Sequence, residues 1–158
     1  MGTVKITQIT DLHLGSDTSE TLGGITTFDS FQSVLQAVER RGRGDNLLLL
    51  TGDLAGDCQP QAYQRLNRTL VDADKQAIWL PGNHDCLETM KSNLSNYPHC
   101  HTHCAGNWGI LLLDSSQPNS PGGHFSDQEL VRAQQGLEQL AGKPVLVAMH
   151  HSPVPVGS

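Results

Sequence analysis

The chain has 158 residues, 37% of them apolar, which suits one closed domain, and sixteen acidic against ten basic residues give a net charge of −6. No long run of Lys or Arg is present, so no nucleic-acid partner is predicted. The sequence has no signal-peptide pattern, no apolar run of membrane-spanning length and no disulfide framework among its four cysteines. We therefore expect a cytoplasmic protein with reduced thiols and no membrane contact.

Short apolar runs alternate along the chain with segments of helical spacing. The predicted strands are Val4 to Thr10, Leu47 to Thr51, Ala77 to Leu80, Ile110 to Leu113 and Val145 to Met149. Helical spacing links Phe28, Phe31, Leu35 and Val38, then Tyr63, Leu66 and Leu70, and finally Leu130, Leu137 and Leu140. Thr27 and Ser126 are the predicted N-caps of the first and last helices. The alternation predicts an α/β layered fold with largely buried strands.

A polar cluster follows four of the five predicted strands. The clusters are Asp11-Leu12-His13, Gly52-Asp53, Gly82-Asn83-His84-Asp85 and His150-His151. The carboxyl ends of strands in an open α/β sheet form a common rim where ligands bind, so these residues are expected to converge. Carboxylate, imidazole and amide groups are ligands for Mn, Fe or Zn. Each motif is weak alone, but their joint order predicts a metal site.

These four blocks resemble the signature blocks of the calcineurin-like metallophosphoesterases, and the resemblance covers nearly the whole chain. The stretches Leu50 to Ala55, Trp79 to Asp85, Leu111 to Ser115 and His150 to Pro155 look like the bacterial class III cyclic-nucleotide phosphodiesterases. The resemblance implies a layered α-β-β-α metallophosphoesterase sandwich, with residues 1–158 as the N-terminal portion of a single domain. It also implies hydrolysis of a small phosphodiester, such as 3',5'-cyclic AMP, by a metal-activated water.

The resemblance further implies two divalent metal ions, Mn, Fe or Zn, and a role for each site residue. The implied ligands are Asp11 and His13 for one ion, Asp53 for both, and Asn83 and His150 for the other. His84 is expected to stabilise charge on the phosphoryl oxygens or to protonate the leaving alkoxide, and Asp85 to orient the His84 ring by a hydrogen bond. His151 is expected to face the substrate or to support a ligand, and Asp114 to be supportive.

One block of the family pattern is missing, because the sequence ends at Ser158 before any Gly-His-x-His block. We therefore expect a fold that is incomplete at the C-terminus, weak or incomplete metal binding, little activity, and either a homo-oligomer or a marginally stable monomer. The cluster His99, Cys100, His101, His103 and Cys104 does not replace that block, and its spacing is too compressed for a usual zinc site.

Two alternatives remain open at this point. One is a phosphoesterase of the same fold acting on another small ester, such as a glycerophosphodiester. The other is a binding module that keeps a partial metal site without turnover. A metal-free nucleotide-binding α/β protein is disfavoured, because neither glycine-rich phosphate loop, Gly-x-x-x-x-Gly-Lys-Ser/Thr or Gly-x-Gly-x-x-Gly, is present.

Overall fold

The structure is a computed structural model that describes residues 4–40 and 46–154. Within these residues it has eight strands and four helices. In chain order they are β1 (Lys5–Ile9), β2 (Thr21–Leu22), β3 (Ile25–Thr26), α1 (Thr27–Arg40), β4 (Asn46–Thr51), α2 (Pro60–Asp72), β5 (Gln76–Leu80), α3 (Leu87–Asn93), β6 (Thr102–Ala105), β7 (Trp108–Leu112), α4 (Asp127–Gln139) and β8 (Val145–Ala148). None of these helices is long and apolar enough to cross a membrane.

The first sheet has the strand order β1-β4-β5 and parallel pairing throughout. Its middle strand contains four consecutive buried leucines. Leu48 and Leu50 face a core shared with helices α1, α2 and α3, whereas Leu47 and Leu49 face the second sheet. Because both faces of this strand are covered, it is apolar without interruption and does not alternate with polar residues.

The second sheet has the order β6-β7-β8, in which β7 pairs antiparallel with β6 and parallel with β8. Ile110 and Leu112 face the first sheet, and Leu111 packs on the opposite side with Leu140 at the end of α4. Gly136 of α4 lies so close to Leu111 that a Cβ there would come within 2.6 Å of the leucine side chain. Helices, sheet, sheet and helix therefore form the α-β-β-α sandwich that the family resemblance implies.

All five predicted strands are confirmed, as β1, β4, β5, β7 and β8, and the three predicted helices are confirmed as α1, α2 and α4. Ser126 caps α4 as predicted, since its Oγ accepts a hydrogen bond from the Glu129 N–H at 3.1 Å. The same prediction for Thr27 is wrong. Helix α1 begins at Thr27 itself. The buried hydroxyl of Thr27 has no hydrogen-bond partner in the described part of the chain.

Candidate metal centre

The loops after β1 and β4 run side by side at the rim of the first sheet. The N–H of Asp11 donates to the carbonyl of Gly52 at 3.1 Å, and the N–H of His13 donates to the carbonyl of Asp53 at 2.9 Å. Two motifs about forty residues apart in sequence are thus joined through their backbones. This pairing holds the Asp11 and His13 side chains next to Asp53.

Three of the predicted ligands have left-handed backbone conformations. The φ angles are 56° at Asp11, 43° at His13 and 51° at Asp53. Asp and His adopt this region more readily than most residues, but it still costs roughly 1 to 3 kcal/mol at each position. Such strain persists only where the surroundings fix the backbone, as the two hydrogen bonds between these loops do. Its concentration at three adjacent polar side chains points to a functional site.

Asp53 lies between two histidines. Its Oδ2 is 3.7 Å from Nε2 of His13 and 3.5 Å from Nε2 of His150, and Oδ1 of Asp11 is 3.9 Å from Nε2 of His13. Two groups of side chains place their ligand atoms within 4.8 Å of one another, and Asp53 belongs to both. The groups are His13 with Asp53 and His84, and Asp11 with Asp53 and His150.

The ring of His150 is oriented by the backbone of β4. Its Nδ1 lies 2.8 Å from the carbonyl oxygen of Thr51. Because a carbonyl oxygen only accepts, Nδ1 must carry the proton, and the lone pair of the neutral ring is left on Nε2, which faces Asp53. A carbonyl behind a histidine is the usual device for orienting a metal ligand.

The loop after β5 closes over Asp53. The other carboxylate oxygen of Asp53, Oδ1, accepts a hydrogen bond from the backbone N–H of His84 at 2.9 Å. A Cβ at Gly82 would collide with this carboxylate, so only glycine allows the loop to approach so closely. Half-buried Asn83 lies between Gly82 and His84 in this same loop.

His84 is exposed at the edge of the site. Its ring makes an edge contact with the ring of His13, with 4.9 Å between the ring centroids. Its Nδ1 is 3.3 Å from the carbonyl oxygen of Gly56, so Nδ1 again carries the proton. Nε2 of His84 is therefore the nitrogen that remains available for a ligand or a substrate.

The predicted hydrogen bond from Asp85 to the His84 ring is wrong, since Gly56 holds that ring. The Asp85 carboxylate instead accepts hydrogen bonds from the N–H groups of Leu54, Ala55 and Gly82 and from the hydroxyl of Tyr63, at 2.9 to 3.1 Å. Burial raises the pKa of Asp85, although these hydrogen bonds act in the opposite direction. Asp85 therefore ties the loop after β5 to the loop after β4.

Sequence reasoning missed Tyr63, which it treated as a core residue of α2. Tyr63 is fully buried, yet its hydroxyl donates to Asp85 at 2.9 Å and accepts from the N–H of Cys86 at 3.3 Å. Burial and the neighbouring Asp85 raise its pKa far above the usual range, so it stays a neutral donor. The helical spacing of Tyr63 gives no sign of this role, because it describes only the packing of the ring.

His151 and Asp114 lie outside the two ligand groups. His151 Nδ1 is 2.8 Å from the hydroxyl oxygen of Ser115, and its Nε2 is buried without a hydrogen-bond partner among the described residues. Asp114 accepts hydrogen bonds from the N–H and hydroxyl of Ser116, at 2.8 and 2.6 Å. Both residues therefore contact the turn after β7.

The compact His and Cys cluster forms no comparable ligand group in the described part of the chain. His99 packs against Trp79, with 4.9 Å between the ring centroids, and against His101, at 4.8 Å. Burial and the neighbouring His101 lower the pKa of His99 to about 4. His99 is therefore a packed aromatic residue, and the four cysteines of the chain are free.

The donor set at the rim fits divalent metal ions. Asp11 and Asp53 bring two carboxylates together, and no Lys or Arg of the described residues forms an ion pair with either. Asp53 is buried, and a buried anion needs a compensating cation. The Nε2 atoms of His13 and His150 face this carboxylate, and oxygen with imidazole nitrogen is a ligand set for Mn, Fe or Zn.

Comparison with known proteins gives a consistent result. Residues 4–158 match the family model described as calcineurin-like phosphoesterase. The chain is 38% identical over 157 residues to a 3',5'-cyclic-nucleotide phosphodiesterase of Nostoc sp. and 36% identical over 157 residues to the 3',5'-cyclic adenosine monophosphate phosphodiesterase CpdA of Escherichia coli. It is also 36% identical over 159 residues to CpdA of Vibrio vulnificus. Each alignment covers 98% of this chain but only 57 to 59% of the relative, so the chain spans less than two thirds of their length.

Proposed function

Because the chain belongs to the calcineurin-like phosphoesterase family, as the sequence motifs predicted, we propose that it is the metal-binding part of a hydrolase that opens 3',5'-cyclic nucleotides such as cyclic AMP. Membership of this family implies divalent metal ions. The observation that carries the proposal is the position of Asp53, which belongs to two separate groups of ligand atoms. The printed names of the relatives support cyclic nucleotides as the substrate class.

The proposed ligands form two sets around Asp53. Asp11 and His13 would hold one ion, Asn83 and His150 the other, and Asp53 both. The ligand groups of the structure share Asp53 but combine the other residues differently, His13 with His84 and Asp11 with His150. When bound, two divalent ions lower the pKa of water to near neutrality and withdraw charge from a phosphoryl oxygen. The amide oxygen of Asn83 adds no negative charge. An ion held there would therefore be a stronger electrophile than an ion held by a carboxylate.

The protein's own contribution is to fix these groups before the substrate arrives. The N–H of His84 fixes one oxygen of Asp53, and the carbonyl of Thr51 fixes the ring of His150. Groups held in this way need no reorganisation when charge develops on the phosphate. His84, held through Nδ1 by Gly56, presents Nε2 to the phosphoryl group. In its imidazolium form His84 donates the proton on Nε2 to a phosphoryl oxygen or to the leaving alkoxide.

The test is a hydrolysis assay with metal removed and restored. Purified protein is treated with a chelator, reloaded with Mn²⁺, and incubated separately with cyclic AMP and with glycerophosphoethanolamine. We expect slow conversion of cyclic AMP to adenosine monophosphate, and only after reloading. Stoichiometric metal uptake with neither ester cleaved would indicate a binding module instead. Cleavage of the glycerophosphodiester alone would show that the substrate class is wrong.

A further inference from the structure

A cleft of about 330 Å³ opens beside the candidate metal centre. His13 and His84 line it from the metal centre, and Glu20 and Leu22 line it from the segment before α1. Its volume lies at the lower end of the range for small-molecule sites, roughly 300 to 1,000 Å³. The cleft therefore offers room, next to the metal centre, for the rest of a phosphate ester held there.

The wall of the cleft is a very short hairpin. Strands β2 and β3 have two residues each, and Leu22 pairs with Ile25 across a turn of Gly23 and Gly24, whose φ angles are 58° and 81°. Positive φ at both turn residues is typical of a type I' hairpin. The hairpin holds two large apolar side chains in solvent, with 57% of Leu22 and 62% of Ile25 exposed. Of these two, only Leu22 lines the cleft together with His13 and His84.

Isolated two-stranded hairpins are marginally stable, so this one needs anchoring. The guanidinium of Arg65, on α2, donates to the carbonyls of Gly15 and Ser16 at 2.8 Å each. The carboxylate of Glu20 accepts from the Ser16 hydroxyl and the Asp17 N–H, at 2.7 and 2.8 Å. These bonds fix the chain between the His13 loop and the hairpin. The distance from the metal centre to Leu22 is thereby set before any ligand binds.

We propose that Leu22 is the contact for the base of a cyclic nucleotide whose phosphate lies at the metal centre, and that it determines the preference for nucleotide diesters. This inference rests on the proposed function and names a specificity residue for it. A nucleobase has an apolar face that loses water favourably against an aliphatic side chain. The acidic residues Glu20 and Asp57 also line the cleft, and their negative charges disfavour a second anionic group there. A cyclic nucleotide, with one negative charge and a neutral base, meets both conditions.

The test compares Leu22→Ser with Ile25→Ser, its partner in the hairpin. Both side chains are exposed, so neither change removes a core contact, and Ile25 does not line this cleft. We expect Leu22→Ser to raise the KM for cyclic AMP roughly tenfold, the contribution of one desolvated aliphatic side chain, with kcat unchanged. The KM for glycerophosphoethanolamine, which has no base, is expected to stay unchanged in both variants. Leu22→Met, unlike Leu22→Ser, is expected to have the wild-type KM for cyclic AMP.

The outcomes separate this inference from the function on which it rests. If wild-type protein cleaves cyclic AMP but Leu22→Ser has the wild-type KM, Leu22 is not the base contact. If Leu22→Ser raises the KM for both diesters equally, or if Ile25→Ser has the same effect on cyclic AMP, the hairpin acts only structurally and the inference is wrong. If the wild-type protein cleaves neither diester, the proposed function fails and this inference fails with it.

Discussion

At the level of single residues, Asp53 uses both of its carboxylate oxygens at the candidate metal centre. Oδ1 accepts the N–H of His84, whereas Oδ2 faces Nε2 of His13 and of His150. A carboxylate oriented by one hydrogen bond keeps its other oxygen in a fixed direction. The residue that the sequence identified from an ordinary Gly-Asp pair is therefore held in its orientation by the loop after β5.

His84 is the residue whose role is most sharply testable, because it lies in one ligand group with His13 and Asp53 and is also exposed to the cleft. We expect His84→Ala to lower kcat for cyclic AMP roughly a hundredfold or more, the scale of a lost general acid or charge stabiliser. Metal content, measured by atomic emission spectroscopy, is expected to stay near wild type. Loss of bound metal in this variant would make His84 a ligand instead.

Gly52 is a second glycine, besides Gly82, on which the geometry of the site depends. Its φ angle is 91°, and a Cβ there would lie 2.7 Å from both the N atom of Gly82 and Nδ1 of His150. We expect Gly52→Ala to displace His150 and to weaken metal binding. Its free energy of unfolding is expected to be lower by about 1 to 3 kcal/mol than that of a matched variant, the cost of overpacking.

The matched variant is Gly142→Ala. Gly142 has a similar φ of 83°, but no atom lies within 4 Å of the Cβ position. Both variants carry the strain of a left-handed alanine, and only Gly52→Ala adds the collision. Equal unfolding free energies in urea, together with equal Mn²⁺ affinity, would show that the close approach at Gly52 is unimportant.

At the level of secondary-structure elements, the site depends on the connection between the loops after β4 and β5. Asp85 makes this connection, and the buried hydroxyl of Tyr63 on α2 donates a hydrogen bond to the Asp85 carboxylate. Tyr63→Phe removes that donor and leaves a buried carboxylate with one hydrogen bond fewer. We expect the free energy of unfolding to fall by about 1.5 to 3 kcal/mol, the contribution of a hydrogen bond to a charged group, and kcat to fall with it.

Tyr97→Phe is the control for this change. The Tyr97 side chain is also buried, and its hydroxyl donates at 2.9 Å to the carbonyl of Lys75, away from the candidate site. We expect a smaller loss of stability, about 0.5 to 1.5 kcal/mol, and normal kcat. The connecting role of Tyr63 is contradicted if Tyr63→Phe leaves both kcat and metal affinity at the values of Tyr97→Phe.

The sequence predicts a secondary-structure element well where both of its faces are buried. It predicts the orientation of an element poorly where only one face is buried. The leucine run of β4 was unambiguous because both faces of that strand are covered. In α4 the apolar spacing predicts a helix correctly but suggests the wrong inward face. Leu130 and Leu137 are 52% and 47% exposed, whereas Glu129 and Gly136 are buried. Helix α4 approaches β7 through glycine, a contact that a search for apolar residues does not detect.

Some features of the site were predictable and others were not. Strand ends predicted that Asp11 and His13 lie beside Asp53, because β1 and β4 are parallel neighbours in one sheet. They did not predict that His150 follows β8 of the second sheet and meets the others across the sandwich. The Gly23-Gly24 pair between Leu22 and Ile25 is a hairpin signal that was not used in the prediction from sequence. No sequence pattern, however, indicates that the carbonyls of Thr51 and Gly56 hold the two histidine rings. Every peptide unit has a carbonyl oxygen, so these two are not distinguishable in the sequence.

At the level of the whole molecule, His99 makes stability depend on pH. Burial lowers its pKa from 6.5 to about 4, so between these values the unfolded chain binds more protons than the folded one. The free energy of unfolding should therefore fall as the pH is lowered from 6.5 to 4. His99→Phe retains a ring against Trp79 without the titration, and we expect a flatter dependence in urea unfolding.

The control for the pH experiment is the exposed His124, replaced by Gln. This variant is expected to keep the wild-type dependence on pH. The prediction is contradicted if His99→Phe loses as much stability as the wild-type protein between pH 6.5 and 4. In that case other groups account for the sensitivity to acid.

The proposed function depends most of all on a metal centre with two ions that share Asp53. The most direct measurement is calorimetric titration of Mn²⁺ into chelator-treated protein, Asp53→Asn and Asp57→Asn, where exposed Asp57 is the control on the same loop. We predict two weak Mn²⁺ sites in the wild-type protein and in Asp57→Asn, and the loss of both in Asp53→Asn. Wild-type binding in Asp53→Asn, or the loss of one site alone, would contradict the shared position of this carboxylate.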